Sequence, residues 1–139
     1  MSEPWPIESI PDADLLFMRV HRNNIVDGKP VVGVFINRGE GEQEGMSTDW
    51  SEHSTAEPTK LRATNLAWKG GVIQMVVGDV RKLPRQTVEH APLPDNCAHT
   101  NVKGPKKASV EGTQVRYLFM RIWRWAIKSE EDAPASTSA

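Results

Sequence analysis

The sequence predicts an α+β domain. The expected architecture is a mainly antiparallel sheet of five or six short strands, a short helix near residues 54–63, and a long C-terminal helix over 112–128 packed on the sheet. Three observations carry this expectation. Short runs of β-branched and aromatic residues recur along the chain. The spacings between them leave no room for the helical crossovers that parallel strands require. Near the C-terminus, Val115, Leu118, Phe119, Ile122, Trp125 and Ala126 follow the 3, 4, 7 spacing of one apolar helix face.

With 139 residues the chain has the size of one domain and is long enough to bury a core without staples. The expected layout is a weakly ordered segment over 1–12, a single domain over 13–128 and a disordered acidic tail over 129–139. The net charge of −1 argues against attraction of the whole surface to nucleic acid or membrane. The single cysteine, Cys97, has no internal disulfide partner, which fits a reducing compartment. The opening Met1-Ser-Glu-Pro-Trp-Pro is acidic and proline-broken, unlike a signal peptide. No apolar run approaches the roughly 20 residues needed to cross a bilayer. A cytoplasmic location and no membrane partner are expected.

Taken in order, Trp5 and Ile7 are expected to pin the proline-rich start onto the domain. Residues 15–20 read as a nearly continuous apolar strand, interrupted by Arg19 and followed by His21. These two share a face if the strand continues. A charge on a buried strand is costly unless paired. Arg19 is therefore either an anion holder or the partner of a carboxylate at the sheet rim, and His21 is a candidate acid/base.

Asn23-Asn24 and Asp27-Gly28 are turn signals. Residues 30–37 read as the second strand, with Gly33 marking a bulge or a close backbone approach. Residues 38–45 form a charged glycine-containing loop that lacks the lysine of a phosphate loop. In 46–50, Ser47 and Asp49 share one face of a short strand, serving either turn and cap chemistry or the rim of a cleft. Ser54 and Glu57 have the spacing of a capping box. Residues 72–77 form a strand, and 78–83 a helical turn ended by Pro84.

Residues 88–102 hold two of the four histidines and the only cysteine. Pro92 and Pro94 stiffen an extended connection that ends in an Asp95-Asn96 turn. Short strands flank it over 87–91 and 98–102. On the second of these, Cys97, His99 and Asn101 fall on one side, and Ala98, Thr100 and Val102 on the other. Either His90, Asp95, Cys97 and His99 line one pocket, with Asn96 a further candidate ligand contact, or Asp95 and Asn96 hold a turn while the histidines sit at a sheet edge. Cys-x-His is not a zinc spacing, so Cys97, His99, His90 and His21 give no metal assignment. Nothing in the sequence orients a Cys97/His99 nucleophile pair, and no cofactor is indicated.

Charge is unevenly placed. Residues 103–128 carry seven bases and a single acid, Glu111. Arg116, Arg121, Arg124 and Lys128 lie off the apolar face of the expected helix. They form either a solvated face or a nucleic-acid surface.

The pattern of residues 15–21, Asp27-Gly28, 46–50 and 96–99 resembles a group of small bacterial proteins of uncharacterised function. That resemblance implies a bacterial, single-domain, cytosolic protein. The chain also resembles ADP-ribosyltransferase-like folds, in which an early strand carries an arginine or histidine and a middle strand a serine or tyrosine. Arg19 or His21 and Ser47 match those places. The late catalytic glutamate has no clear counterpart, Glu89 and Glu111 both being poor matches.

Two functions of different class follow. One is a small binding module that holds a partner protein or an anionic ligand through a polar cleft or a basic helix face. The other is an enzyme acting on a phosphate-bearing or nucleotide-type substrate. In that case Arg19 holds the anion, His21 and His99 act as acid and base, and Ser47 and Asp49 complete the site. Convergence of Arg19, His21 and His99 on one cavity separates the two.

Overall fold

The computed structural model describes residues 5–35, 46–61, 70–104 and 110–128. Its centre is a six-stranded sheet of β1 (Leu15–His21), β4 (Met46–Trp50), β5 (Gly70–Val76), β6 (Thr87–His90), β7 (His99–Lys103) and β8 (Arg124–Ile127). The strand order is β6-β7-β4-β1-β5-β8, with every neighbouring pair antiparallel. This is the α+β class with the antiparallel sheet that the sequence predicts.

The alternation of side chains along each strand sorts residues onto two faces. Leu16, Met18 and Val20 of β1 share a face with Met46 and Trp50 of β4, Ile73 and Met75 of β5, and Val88 and Val102 of the β6–β7 pair. That face carries the core. It is closed by Val77 and Val80 of α2 (Val77–Arg81), by Val115 and Phe119 of α3 (Val110–Phe119), and by Ile10 and Phe35. The other face carries Phe17, Arg19, Ser47, Asp49, His99 and Asn101, and α1 (Ala56–Leu61) lies over part of it.

The helix expected over 112–128 ends at Phe119. A turn follows through Met120, Arg121 and Ile122, each of whose amides donates back to the carbonyl three residues earlier. Residues 124–127 then form β8 on the free edge of β5. Ile122, Trp125 and Ala126 fit a helical stripe, but Trp123, Trp125 and Ile127 equally fit a strand. Pairing with the β5 edge satisfies backbone groups that a helix there would leave open to water. The register steps from Val72↔Ile127 to Ile73↔Trp125, so β8 carries one extra residue at a bulge.

The strand expected over 30–37 is also not formed where the chain is described. Lys29–Pro30 (β3) pairs with Ile25–Val26 (β2) in a two-residue ladder. A 3-10 turn over Val32–Val34 then carries Phe35 into the core, where its ring stacks on Phe119 at 5.2 Å and 3°. Burying one aromatic ring here outweighs the β-propensity of the valines. Gly33 makes no close approach.

The β2–β3 turn has positive φ at both central residues, 53° at Asp27 and 76° at Gly28, as a type I′ hairpin requires. The Gly28 carbonyl accepts from Trp125 Nε1 at 2.9 Å, tying the hairpin to β8. Gly28→Ala is expected to cost about 1 kcal/mol, because a Cβ disfavours this backbone region. Urea unfolding of the variant measures it.

At the N-terminus, Trp5 and Ile7 are exposed and Ile10 is the anchor in the core. Arg81 Nη1 donates to the Ile10 carbonyl and to Asp12 Oδ1, both at 2.6 Å, and the Gly78 amide donates to the Asp12 carbonyl at 2.8 Å. Residues 62–63 of the expected short helix, the 38–45 loop and the 129–139 tail lie outside the described residues. Among the described residues no helix is long and apolar enough to cross a membrane.

Candidate functional site

The two-face alternation decides which expected residues meet. His90 pairs with Thr100 and faces the core side, whereas His99 pairs with Asp49 on the opposite face. His90 and His99 therefore do not line one pocket. His99 Nδ1 donates to the Ala91 carbonyl at 2.8 Å. Cys97 lies in the turn before β7, half-buried, and its carbonyl accepts from His90 Nε2 at 2.7 Å.

Four expected residues are found near one another on the second face or at its rim. Asp49 is only 4% exposed. Its Oδ2 accepts from Thr59 Oγ1 and its Oδ1 from Asn96 Nδ2, both at 2.8 Å. Arg19 Nη1 donates to the Thr59 carbonyl at 3.0 Å. Ser47 stands exposed on the same strand as Asp49 and pairs with Asn101. Thr59 of α1 is thus the hub, with Ser54 Oγ 3.2 Å from its hydroxyl. This arrangement docks α1 and the 93–96 turn onto the sheet.

His21 does not join them. Its Nδ1 accepts from the Asn23 amide at 3.1 Å and caps the 3-10 turn Arg22–Asn24. It pairs with Gly70 at the far end of β1, while His99 aligns through Asp49 with Phe17. Four residues along β1 and two strands across separate them, roughly 13 Å by roughly 10 Å. Acid, base and anion holder do not converge as the enzyme reading requires.

The basic helix face is not formed either. Only Arg116 belongs to α3, where its Nη2 donates to Thr113 Oγ1 at 3.2 Å. Arg121 is in the following turn, Arg124 on β8 and Lys128 after it. Arg121 and Arg124 instead border a pocket of ≈ 180 Å³ with Trp123, Gln74 and Asp79.

A larger groove, ≈ 640 Å³, runs round the outer edge of β6. Residues 7–10 form one wall, and Val88 to Ala91 with Asn101 and Lys103 the other. Its two cations are already paired. Arg81 holds Asp12 at 2.6 Å, and Lys103 Nζ lies 3.1 Å from Glu89 Oε2.

At one end of the groove, Glu8, His53 and His90 bring three ligand-type atoms within 4.8 Å of one another. Glu8 Oε2 is 2.7 Å from His53 Nε2. His90 is 5% exposed. Its Nδ1 accepts from the Glu8 amide at 3.0 Å while its Nε2 donates to the Cys97 carbonyl, so the proton is on Nε2. Trp50 packs edge-on against both imidazoles, with centroids 5.0 and 5.1 Å away. Glu8 and His53 have no sequence signal, since 45 residues separate them and neither sits in a motif. The sequence singled out His90 but for the wrong side of the sheet.

No family model, curated protein or solved structure matches this chain.

Proposed function

We propose that the protein is a binding module that takes an extended segment of a partner protein along β6. The observation that supports this is that, among the described residues, no strand pairs with the outer side of β6, where the larger groove runs. Ala91 donates its amide to His99, so Ala91 and Glu89 turn their backbone toward β7. Val88 and His90 therefore turn theirs outward. Arg81 Nη2 reaches the Val88 carbonyl from that side at 3.4 Å. An extended peptide added at such an edge gains main-chain hydrogen bonds, with side-chain pockets giving selectivity. Ile7, 79% exposed beside the groove, supplies apolar surface for it. A small anion fits this groove less well, because Arg81 and Lys103 already carry carboxylate partners.

A second reading rests on a different pocket. Arg121 and Arg124 carry no ion pair among the described residues, and Trp123 stands beside them. Two guanidinium groups next to an aromatic ring suit a small phosphate-bearing ligand. Asp79 in the same lining opposes it.

Selection of displayed random peptides on the pure protein, followed by hydrogen exchange, tests the first reading. Bound peptides are expected to slow exchange at the Val88 and His90 amides. Ile7→Asp is expected to weaken them about tenfold, or about 1.4 kcal/mol. Binders that leave both amides unprotected refute strand addition. If no peptide binds, but pyrophosphate raises the melting temperature and Arg121→Ala with Arg124→Ala abolishes the rise, the second reading replaces the first.

A further inference from the structure

We propose that Glu8, His53 and His90 form a binding site for a borderline divalent cation, with zinc the best fit, that ties the N-terminal segment to β6. The proposal is independent of what the groove binds. Two imidazoles and one carboxylate match the ligand preference of zinc, and three protein ligands leave one position open. Glu8 and His90 both line the groove, so that position is reached from it.

The support lies in how His90 is held. A metal-ligating histidine characteristically donates its other ring N–H to a carbonyl or carboxylate, which fixes the tautomer. His90 does this, with Nε2 donating to the Cys97 carbonyl at 2.7 Å and the Nδ1 lone pair directed at the Glu8 amide, on the same residue whose carboxylate reaches His53. Trp50 makes T-shaped contacts with both rings, and the two imidazoles stack on each other with centroids 5.8 Å apart. The donors come from the N-terminal segment, the loop after β4 and strand β6, so an ion here would cross-link three parts of the fold.

The ligand atoms need a small rearrangement. Around a tetrahedral zinc with bonds near 2.1 Å, donor atoms stand about 3.4 Å apart. The 2.7 Å contact between Glu8 and His53 would open, and His90, within 4.8 Å of both, would close in. The Glu8 amide, now on His90 Nδ1 at 3.0 Å, would give way to the ion. Zinc on His53 Nε2 also requires the His53 proton to sit on Nδ1 or to leave. Metal uptake therefore competes with protons and weakens in acid.

The test uses the full chain, treated with chelator and titrated with zinc and then cobalt. The expected result is one ion per chain, a raised melting temperature and the visible spectrum of low-coordinate cobalt. The Glu8 amide resonance is expected to move on loading. Glu8→Gln and His53→Ala are each expected to weaken zinc binding by about tenfold or more. Both side chains are partly exposed, 42% and 28%, so these variants leave the core intact where a His90 variant would not. Two outcomes overturn the proposal. One is no stoichiometric binding by the native chain. The other is binding that both variants retain unchanged, which would place the ion elsewhere, at His21, Cys97 or His99.

Discussion

Phe119→Ala is expected to remove about 3–5 kcal/mol of stability, the cost of truncating a fully enclosed aromatic ring. Phe119 is the last residue of α3 and is wholly inaccessible to solvent. Its ring lies parallel to that of Phe35 at 5.2 Å, and Phe35 is delivered by the 3-10 turn Val32–Val34. One contact therefore joins the end of α3 to the segment after the β2–β3 hairpin. Truncation would leave a void bounded by Phe35 and by the sheet. The sheet cannot collapse into it without breaking its ladder. Urea denaturation should show a lower midpoint with an unchanged slope. Leu118→Ala, at a half-buried neighbour on the same helix, should cost clearly less. A loss under about 1 kcal/mol for Phe119→Ala would contradict the stacked arrangement.

Asp49→Ala is expected to cost about 1–3 kcal/mol, because it removes the acceptor of one buried donor, on Thr59, and one half-buried donor, on Asn96. Thr59 Oγ1 has an alternative acceptor in the Thr55 carbonyl at 3.1 Å, so most of the loss falls on Asn96 Nδ2. Asn96 also accepts from the Ala98 amide at 3.1 Å and so shapes the turn into β7. Asp49→Asn should recover part of the loss. Its carbonyl oxygen can serve one donor, while its own NH2 meets the other. Ser47→Ala, two residues away and exposed, should change stability by less than about 0.5 kcal/mol. Equilibrium unfolding of the three variants, with amide exchange at Ala98, reads these effects. The expected order runs from Asp49→Ala as the least stable, through Asp49→Asn, to Ser47→Ala, which stays near the native chain. An Asp49→Ala variant as stable as the native protein would mean that the carboxylate is not held as described.

Much of the fold was legible because strand signals are local. The apolar run at β1, the β-branched run at β5 and the alternation of Ala98, Thr100 and Val102 each report one buried face. The Asp27-Gly28 turn was equally plain, since only a few residue types accept positive φ twice in succession. The segment after Phe119 was misread because its aromatics satisfy a helical and a strand pattern at once. The free edge of β5, set by distant residues, decided between them.

The candidate site was far less legible. Asp49, Asn96 and Arg19 were singled out for chemistry, and they instead gather round Thr59 to dock α1. His90 was paired with His99 by closeness in sequence, but the register of β6 against β7 turns the two to opposite faces. Its neighbours are Glu8 and His53, from segments 82 and 37 residues away in the chain. The fold class, the main strands and the apolar side of β7 can be read from the residues alone. Those follow from backbone preference and from burial period, which are carried within a few residues. Where the chain after Phe119 goes, which strands lie at the edges of the described sheet and which histidines meet are long-range outcomes. Each of these depends on strand order and register, and these are settled by the packing of the whole core.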